Sequence, residues 1–85
     1  MEKMIAMRFL KEVERTDKNR IKIYDTDFMC DIIAELEDKN IRYTNGILED
    51  KLADTEAYFI ELAEKKGWSI DYSMSGIIVK KGGAK

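Results

Sequence analysis

The stretch IKIYDTDFMCDIIAELEDKNIRYT, from Ile21 to Thr44, decides the fold of this chain. Alternating apolar residues at its two ends flank a segment whose apolar residues recur at helical spacing. The pattern predicts strand, helix, strand, with the two strands parallel and joined by a right-handed crossover. The predicted helix has an apolar stripe of Phe28, Met29, Ile32, Ile33 and Leu36, and an opposite face of Asp27, Asp31, Glu35 and Asp38. Asn40 is its predicted end, because asparagine tolerates the left-handed conformation.

The sequence on either side predicts two more helices and a hairpin. A first helix is expected over Met1–Arg15, and a third begins after Asn45-Gly46 and stops at Gly67, which follows two lysines. Alternation from Trp68 to Met74, a turn and the run Ile77–Lys81 predict a C-terminal β-hairpin. We therefore expect one α+β domain over residues 1–81, followed by a disordered tail over residues 82–85.

The predicted element order is α-β-α-β-α-β-β, with three helices packed on a small mixed sheet of three or four strands. Asn45-Gly46 admits two interpretations. As a type I′ turn it would pair residues 41–44 with residues 47–50 in a hairpin. As a simple loop it would lead into the third helix, whose apolar face holds over about five turns. The sequence leaves both open.

The net charge of −2 hides a separation of charge along the chain. Residues 25–64 carry twelve Asp/Glu and three Lys/Arg, a net charge of −9, whereas residues 1–24 and 65–85 carry net charges of +3 and +4. A field of one sign steers association with an oppositely charged partner. The acidic middle segment therefore predicts either a solvated helical surface or a docking surface for a basic partner.

The order of elements in the central stretch resembles the opening of a glutaredoxin. The resemblance rests on a strand that ends in Tyr24, a polar turn, a helix, and then Asn40-Ile41-Arg42-Tyr43. It implies a thioredoxin-like topology. The activity is not implied, because Met29 and Ile32 stand where that family has its Cys-x-x-Cys pair, and the chain contains no proline for the family's cis-proline.

A ferredoxin-like topology is also consistent with the pattern. Helix, strand, two helices and a terminal hairpin also suggest a winged helix. In a winged helix the recognition helix would be Leu52–Lys66, whose solvent side carries several carboxylates that would face DNA phosphates. Direct nucleic-acid binding is therefore the weaker prediction. Its best case is a basic patch of Arg20, Lys22, Lys80 and Lys81, which would form only if the first and last strands are neighbours.

The composition argues against an enzyme. The chain has no histidine, the commonest general base and metal ligand, and no glycine-rich phosphate loop, serine nucleophile motif or zinc-binding pattern. We predict no catalytic residues, no metal and no cofactor. The single cysteine, Cys30, excludes an internal disulfide, and Glu2, Lys3 and Arg8 interrupt any signal sequence, so we expect a cytoplasmic protein without a membrane segment.

The sequence therefore predicts a small acidic interaction protein that binds a basic macromolecule, and a nucleic-acid-binding protein is the partner that it favours. Phage and mobile-element inhibitors of nucleic-acid-handling enzymes, anti-CRISPR proteins among them, belong to this class. The hypothesis that this chain is such an inhibitor rests on its class and on no particular residue. The alternatives are a winged-helix-like DNA-binding regulator and a homodimeric adaptor sealed through the first helix by Met4 and Met7. The predicted partner-binding residues are Asp27, Asp31, Glu35, Asp38, Glu49, Asp50, Glu56, Glu61 and Glu64.

Overall fold

The computed structural model describes residues 1–82 as three helices and three strands. The elements are α1 (Glu2–Arg15), β1 (Arg20–Tyr24), α2 (Asp25–Asp38), α3 (Asn45–Lys65), β2 (Ser69–Ser73) and β3 (Gly76–Lys80). The predicted α+β class, the three helices and the C-terminal hairpin are confirmed. The predicted tail, residues 82–85, lies outside the described residues except for Gly82.

The ends of α2 and α3 have the same geometry, and both are foreseeable from the sequence. Asn40 follows α2 with φ 61°, and Gly67 follows α3 with φ 85°. The next N–H in each case reaches back to a carbonyl of the last turn, from Ile41 to Leu36 at 2.9 Å and from Trp68 to Ala63 at 3.1 Å. These are Schellman-type ends, which need a residue that tolerates positive φ.

The sheet is entirely antiparallel, in the order β1-β3-β2. The long connection through α2 and α3 places β3 beside β1, with Ile23 opposite Ile77 and Ile21 opposite Val79. Gly76 permits this pairing at the end of the hairpin turn, because a Cβ atom there would lie 2.0 Å from the carbonyl oxygen of Ile23.

The core lies between the inner face of the sheet and the three helices. Phe28 of α2 is its centre: its ring centroid is 4.7 Å from that of Phe9 in α1 and 5.9 Å from that of Phe59 in α3. These aromatic contacts join all three helices. The other buried apolar residues are Ile5, Ala6, Leu10, Val13, Ile23, Ile32, Leu36, Ala63, Ile77 and Val79.

The predicted strand over residues 41–44 is wrong, and with it the parallel pair and the mixed sheet. This segment has no strand structure. Its ends serve the adjoining helices instead: the N–H of Ile41 closes α2, and the Thr44 hydroxyl accepts the N–H of Ile47 at 3.2 Å to begin α3. Asn45-Gly46 is consequently the first turn of α3, neither a hairpin turn nor a loop.

The missing strand also decides among the predicted topologies. Thioredoxin-like and ferredoxin-like arrangements both contain a β-α-β crossover, which is absent from the described residues. Helix, strand, two helices and a terminal hairpin is the connectivity predicted for a winged helix, and it is the connectivity observed. Topology alone does not carry a function.

Candidate functional site

The acidic row of α2 is largely occupied by contacts within the fold. The Asp27 carboxylate accepts the N–H of Tyr24, the residue before the helix, at 3.0 Å. Arg8 of α1 lies across the next two acids, with Nη1 3.1 Å from Asp31 and Nη2 3.6 Å from Glu35. Of the four predicted partner-binding residues in this row, Asp38 is exposed and makes no such contact within residues 1–82.

Glu56 of α3 is placed differently from the other carboxylates predicted to bind a partner. Its side chain is half-buried and turned towards Asp25, the first residue of α2. Burial, together with the neighbouring Asp25 carboxyl, raises the pKa of Glu56 to about 7. Glu56 is therefore part of the α2–α3 contact and is not on the outward surface.

The outward surface of α3 holds the remaining predicted residues. At 100° per residue, the side of the helix opposite Phe59 carries Asp50, Asp54, Glu61 and Glu64, all exposed, with Glu49 exposed at the flank. We call the first four residues the α3 acidic face. The helix has 21 residues, so it is about 31 Å long. The face therefore presents its four carboxylates along one helix.

The lysine side chains of α3 do little to neutralise the α3 acidic face. Lys51 points to α1, where its ammonium lies 3.2 Å from the Glu2 carboxylate. Lys65 lies 4.0 Å from Glu61 on the exposed surface, a geometry that contributes little. Within residues 1–82, Asp50, Asp54 and Glu64 have no ion-pair partner. Their charges are presented to solvent.

Two residues that the sequence-based prediction missed belong to this surface. At 100° per residue, Asp54 lies about 20° from Glu61 and about 40° from Asp50 around the helix axis, so the helical period alone places it on this face. Tyr58 is 40% exposed beside them. Half-exposed tyrosine is common in protein interfaces, where its ring supplies contact area and its hydroxyl a hydrogen bond. The sequence pattern does not identify Tyr58 as exposed, because an aromatic residue at this spacing is equally compatible with a position in the core.

The outer face of the sheet carries most of the predicted basic patch. Arg20 and Lys80 are directly opposite one another, and Lys22 follows on the same face. Lys80 bonds Asp71 at 2.7 Å and lowers the pKa of that carboxyl. Lys81 does not belong to the patch, because its ammonium donates to the carbonyl oxygens of Val13 at 2.8 Å and Thr16 at 2.6 Å.

The predicted homodimer surface is present as an exposed strip on α1. Met4 and Met7 are 47% and 43% exposed, and Lys3, Arg8 and Lys11 lie alongside them. This strip is more basic than a self-complementary contact would favour, since the same lysines would meet around a two-fold axis. Dimerisation remains a prediction.

Among residues 1–82, no group of three or more Asp, Glu, Cys or His side chains is arranged to hold a metal ion. The described part of the chain also contains no helix of the length and apolar character needed to span a membrane. In comparisons with protein-family models, with curated proteins and with solved structures, the chain matches none. The candidate site therefore rests on the α3 acidic face itself.

Proposed function

We propose that this is a non-enzymatic protein that binds a basic protein partner through the α3 acidic face. The observation that carries the proposal is a contrast in neutralisation: Arg8 compensates Asp31 and Glu35 of α2, whereas Asp50, Asp54 and Glu64 have no compensating cation within residues 1–82. Within residues 1–82, these three carboxylates make no ion pair that would stabilise the fold. A role in association explains why so many lie on one side of one helix.

The face has the physical properties that such a contact needs. Exposed charges steer a partner to the surface and raise the association rate, with a range of about 8 Å at physiological ionic strength. Tyr58 and Ile47, 40% and 39% exposed, provide apolar area beside the charges. Exposed Ala53 and Ala57 leave room between the acids for a partner to approach the helix backbone. The combination suits lysine or arginine side chains, whose aliphatic stems pack while their charged ends pair.

The partner that best fits this chemistry is a protein that handles nucleic acid. Its lysines and arginines would otherwise hold phosphates, and a line of carboxylates competes for the same groups. An inhibitor of such an enzyme, of the kind encoded by phages and mobile elements, is the function we put forward.

A capture experiment with matched variants tests the proposal. Wild-type protein, Asp50→Asn/Asp54→Asn and Asp17→Asn/Asp38→Asn serve as baits in a lysate of the native host cell. Both variants replace two exposed aspartates that have no ion pair in residues 1–82. We expect a basic protein that wild type and the Asp17/Asp38 variant retain, that the Asp50/Asp54 variant releases, and that high salt elutes. Purified partner is then titrated against all three proteins.

Equal retention by both variants would contradict the proposal, because the bound protein would then not depend on the α3 acidic face. A duplex shift that survives charge reversal on α3 would contradict it as well. The titration of the purified partner decides whether that protein binds directly through the α3 acidic face, which capture from a lysate alone does not establish.

The basic sheet face supports a second candidate, direct nucleic-acid binding. The condition set by the sequence, that the first and last strands adjoin, is met, and Arg20, Lys22 and Lys80 share one face. A labelled duplex at low salt tests it, with Arg20→Ala/Lys22→Ala as the variant that should abolish the shift. Because one of the three cations is paired to Asp71, any binding through this face would be weak, and a small increase in salt would remove it.

A further inference from the structure

An open groove runs beside β1, and it is separate from the α3 acidic face. The groove has a volume of about 500 Å³ and lies between α1, β1 and the start of α2. Its floor is apolar, formed by Phe9, Val13, Ile21 and Ile23. Val13 and Ile23 are already buried, so the apolar area of the floor that remains in contact with water belongs to Phe9 and Ile21.

The rim of this groove is acidic. Glu12 of α1 and Asp27 and Asp31 of α2 all border it. Arg8 compensates Asp31, and the Tyr24 N–H bonds Asp27, but no ion-pair partner of Glu12 or Asp27 occurs in residues 1–82. The groove thus combines an apolar floor with a negatively charged border, which suits a segment bearing both apolar and cationic side chains.

The backbone of β1 is available along the same groove. Two hydrogen bonds, from the Lys81 N–H to the Asn19 carbonyl and from the Asp25 N–H to the Ser75 carbonyl, show which residues of β1 form hydrogen-bonded pairs with β3. In an antiparallel pair, hydrogen-bonded residues alternate with residues whose N–H and C=O point to the other side. Ile21 and Ile23 therefore bond β3, while the N–H and C=O groups of Arg20 and Lys22 point to the open edge.

Within residues 1–82, no hydrogen bond engages these edge groups of Arg20 and Lys22. The N–H of Tyr24 is already taken by Asp27, so the open edge ends there. An exposed strand edge is a template for pairing with another chain.

We propose that β1 accepts an extended segment of the basic partner by strand addition, with its apolar side chains in the groove and its lysines or arginines at the acidic rim. The proposal rests on the proposed function for the basic character of the partner. Main-chain bonds to Arg20 and Lys22 would hold the segment, and the groove would select its side chains.

The two faces of β1 specify the pattern of that segment. Ile21 and Ile23 face the groove, so alternate residues of an added strand enter it, and these are apolar or cationic. The intervening residues lie next to the side chains of Arg20 and Lys22 on the outer face, so a cation there is disfavoured. The same repulsion argues against a second copy of this chain as the occupant, since β1 would place its own Arg20 and Lys22 beside those of its partner.

The probe is a labelled peptide of this pattern, Lys-Thr-Val-Thr-Val-Thr-Lys, with Glu-Thr-Val-Thr-Val-Thr-Glu as its charge control. Binding is measured by fluorescence anisotropy against Lys22→Pro and Lys22→Ala. Proline removes the edge-directed N–H without breaking a ladder bond, and alanine removes the side-chain charge while retaining the N–H. We expect Lys22→Pro to weaken binding by at least about tenfold, and Lys22→Ala to stay within about threefold of wild type.

Glu12→Lys provides a test that leaves the backbone of β1 intact. It should weaken binding of the lysine peptide by about tenfold, and circular dichroism verifies the fold of each variant. Cys30 borders the groove and is the only cysteine, so bound peptide should also slow its reaction with a thiol reagent.

Equal binding by Lys22→Pro and Lys22→Ala would overturn the proposal, as would tighter binding of the glutamate peptide. Asp50→Asn/Asp54→Asn should bind the probe like wild type. If the peptide binds but no partner is captured through α3, only the proposed function is contradicted. If a partner is captured but the peptide does not bind, only strand addition is contradicted.

Discussion

Two acidic rows on consecutive helices have very different surroundings. In α2, Asp27 holds the start of the helix and Arg8 bridges Asp31 and Glu35. In α3, Asp50 and Asp54 face solvent, and neither has a cationic partner in the part of the chain that the structure describes. Both rows repeat at helical spacing in the sequence, so spacing alone cannot distinguish acids that stabilise a fold from acids that are free to bind. For Asp31 and Glu35 the difference is one arginine, 23 residues away from Asp31 in the chain.

Substitution of Asp27 should have the largest effect on stability. Asp27→Ala removes the bond to the Tyr24 N–H and a charge that favours the positive end of the α2 dipole, so we expect a loss of about 1.5 kcal/mol. Chemical denaturation measures it. Asp38→Ala, at an exposed position in the same row, should change stability by less than about 0.5 kcal/mol. If Asp27→Ala and Asp38→Ala lowered the free energy of unfolding equally, the acids of α2 would not differ in their contribution to the fold.

Glu56 should make stability depend on pH in the direction opposite to that of a salt-bridged acid. Its pKa is about 7 in the folded protein against an ordinary 4.5, so the folded state retains the proton longer. The free energy of unfolding should therefore fall as pH rises from 4.5 to 7 and then remain low. Because water screens this partly exposed group, we expect a fall of about 1 kcal/mol.

The control for this prediction is Glu56→Gln, which cannot ionise. It should be more stable than wild type at pH 8 by about the same amount, and it should show no difference at pH 4. Thermal unfolding across this pH range measures both. A wild-type profile that rises between pH 4.5 and 7 while the variant remains flat would contradict the placement of Glu56 against Asp25.

Removal of Arg8 should have a smaller effect, because its ion pairs are partly exposed. Arg8→Ala should lower stability by about 0.5 kcal/mol at low salt and by less at high salt. It should also make the α2 row more attractive to a cationic probe, since Asp31 and Glu35 lose their compensation. A denaturation experiment at two salt concentrations measures the first effect, and the absence of any salt dependence would contradict it.

The smallest effect on stability is expected at the α3 acidic face. Asp50→Asn/Asp54→Asn should change the free energy of unfolding by less than about 0.5 kcal/mol, and any change should be a gain, because like charges four residues apart repel. Urea denaturation beside the Asp17→Asn/Asp38→Asn control measures it. A loss above about 1 kcal/mol would mean that these acids serve the fold.

Local signals in the sequence predicted the three helices and the C-terminal hairpin, but not which strands pair across the rest of the sheet. Asn40 and Gly67 end their helices as expected, because the requirement for positive φ is local and few residues satisfy it. Residues 41–44 alternate like a strand yet form none, since Ile41 and Thr44 bond the adjoining helices. The partner of β1 is β3, more than fifty residues along the chain, and alternation carries no information about such pairing.

The candidate site was predictable only in part for the same reason. The helical period places Asp50, Glu61 and Glu64 outward, and the structure agrees. It cannot show that Arg8 of another helix reaches Asp31, or that Asp25 meets Glu56. These contacts depend on how the helices cross, which the sequence pattern leaves undetermined.

The most direct test of the central claim is a calorimetric titration of the captured basic partner, purified, against wild type and the two aspartate variants at low salt. We expect Asp50→Asn/Asp54→Asn to weaken the affinity by about tenfold and Asp17→Asn/Asp38→Asn to remain within about twofold of wild type. Equal affinity of the two variants, or a greater loss in the Asp17/Asp38 variant, would contradict it.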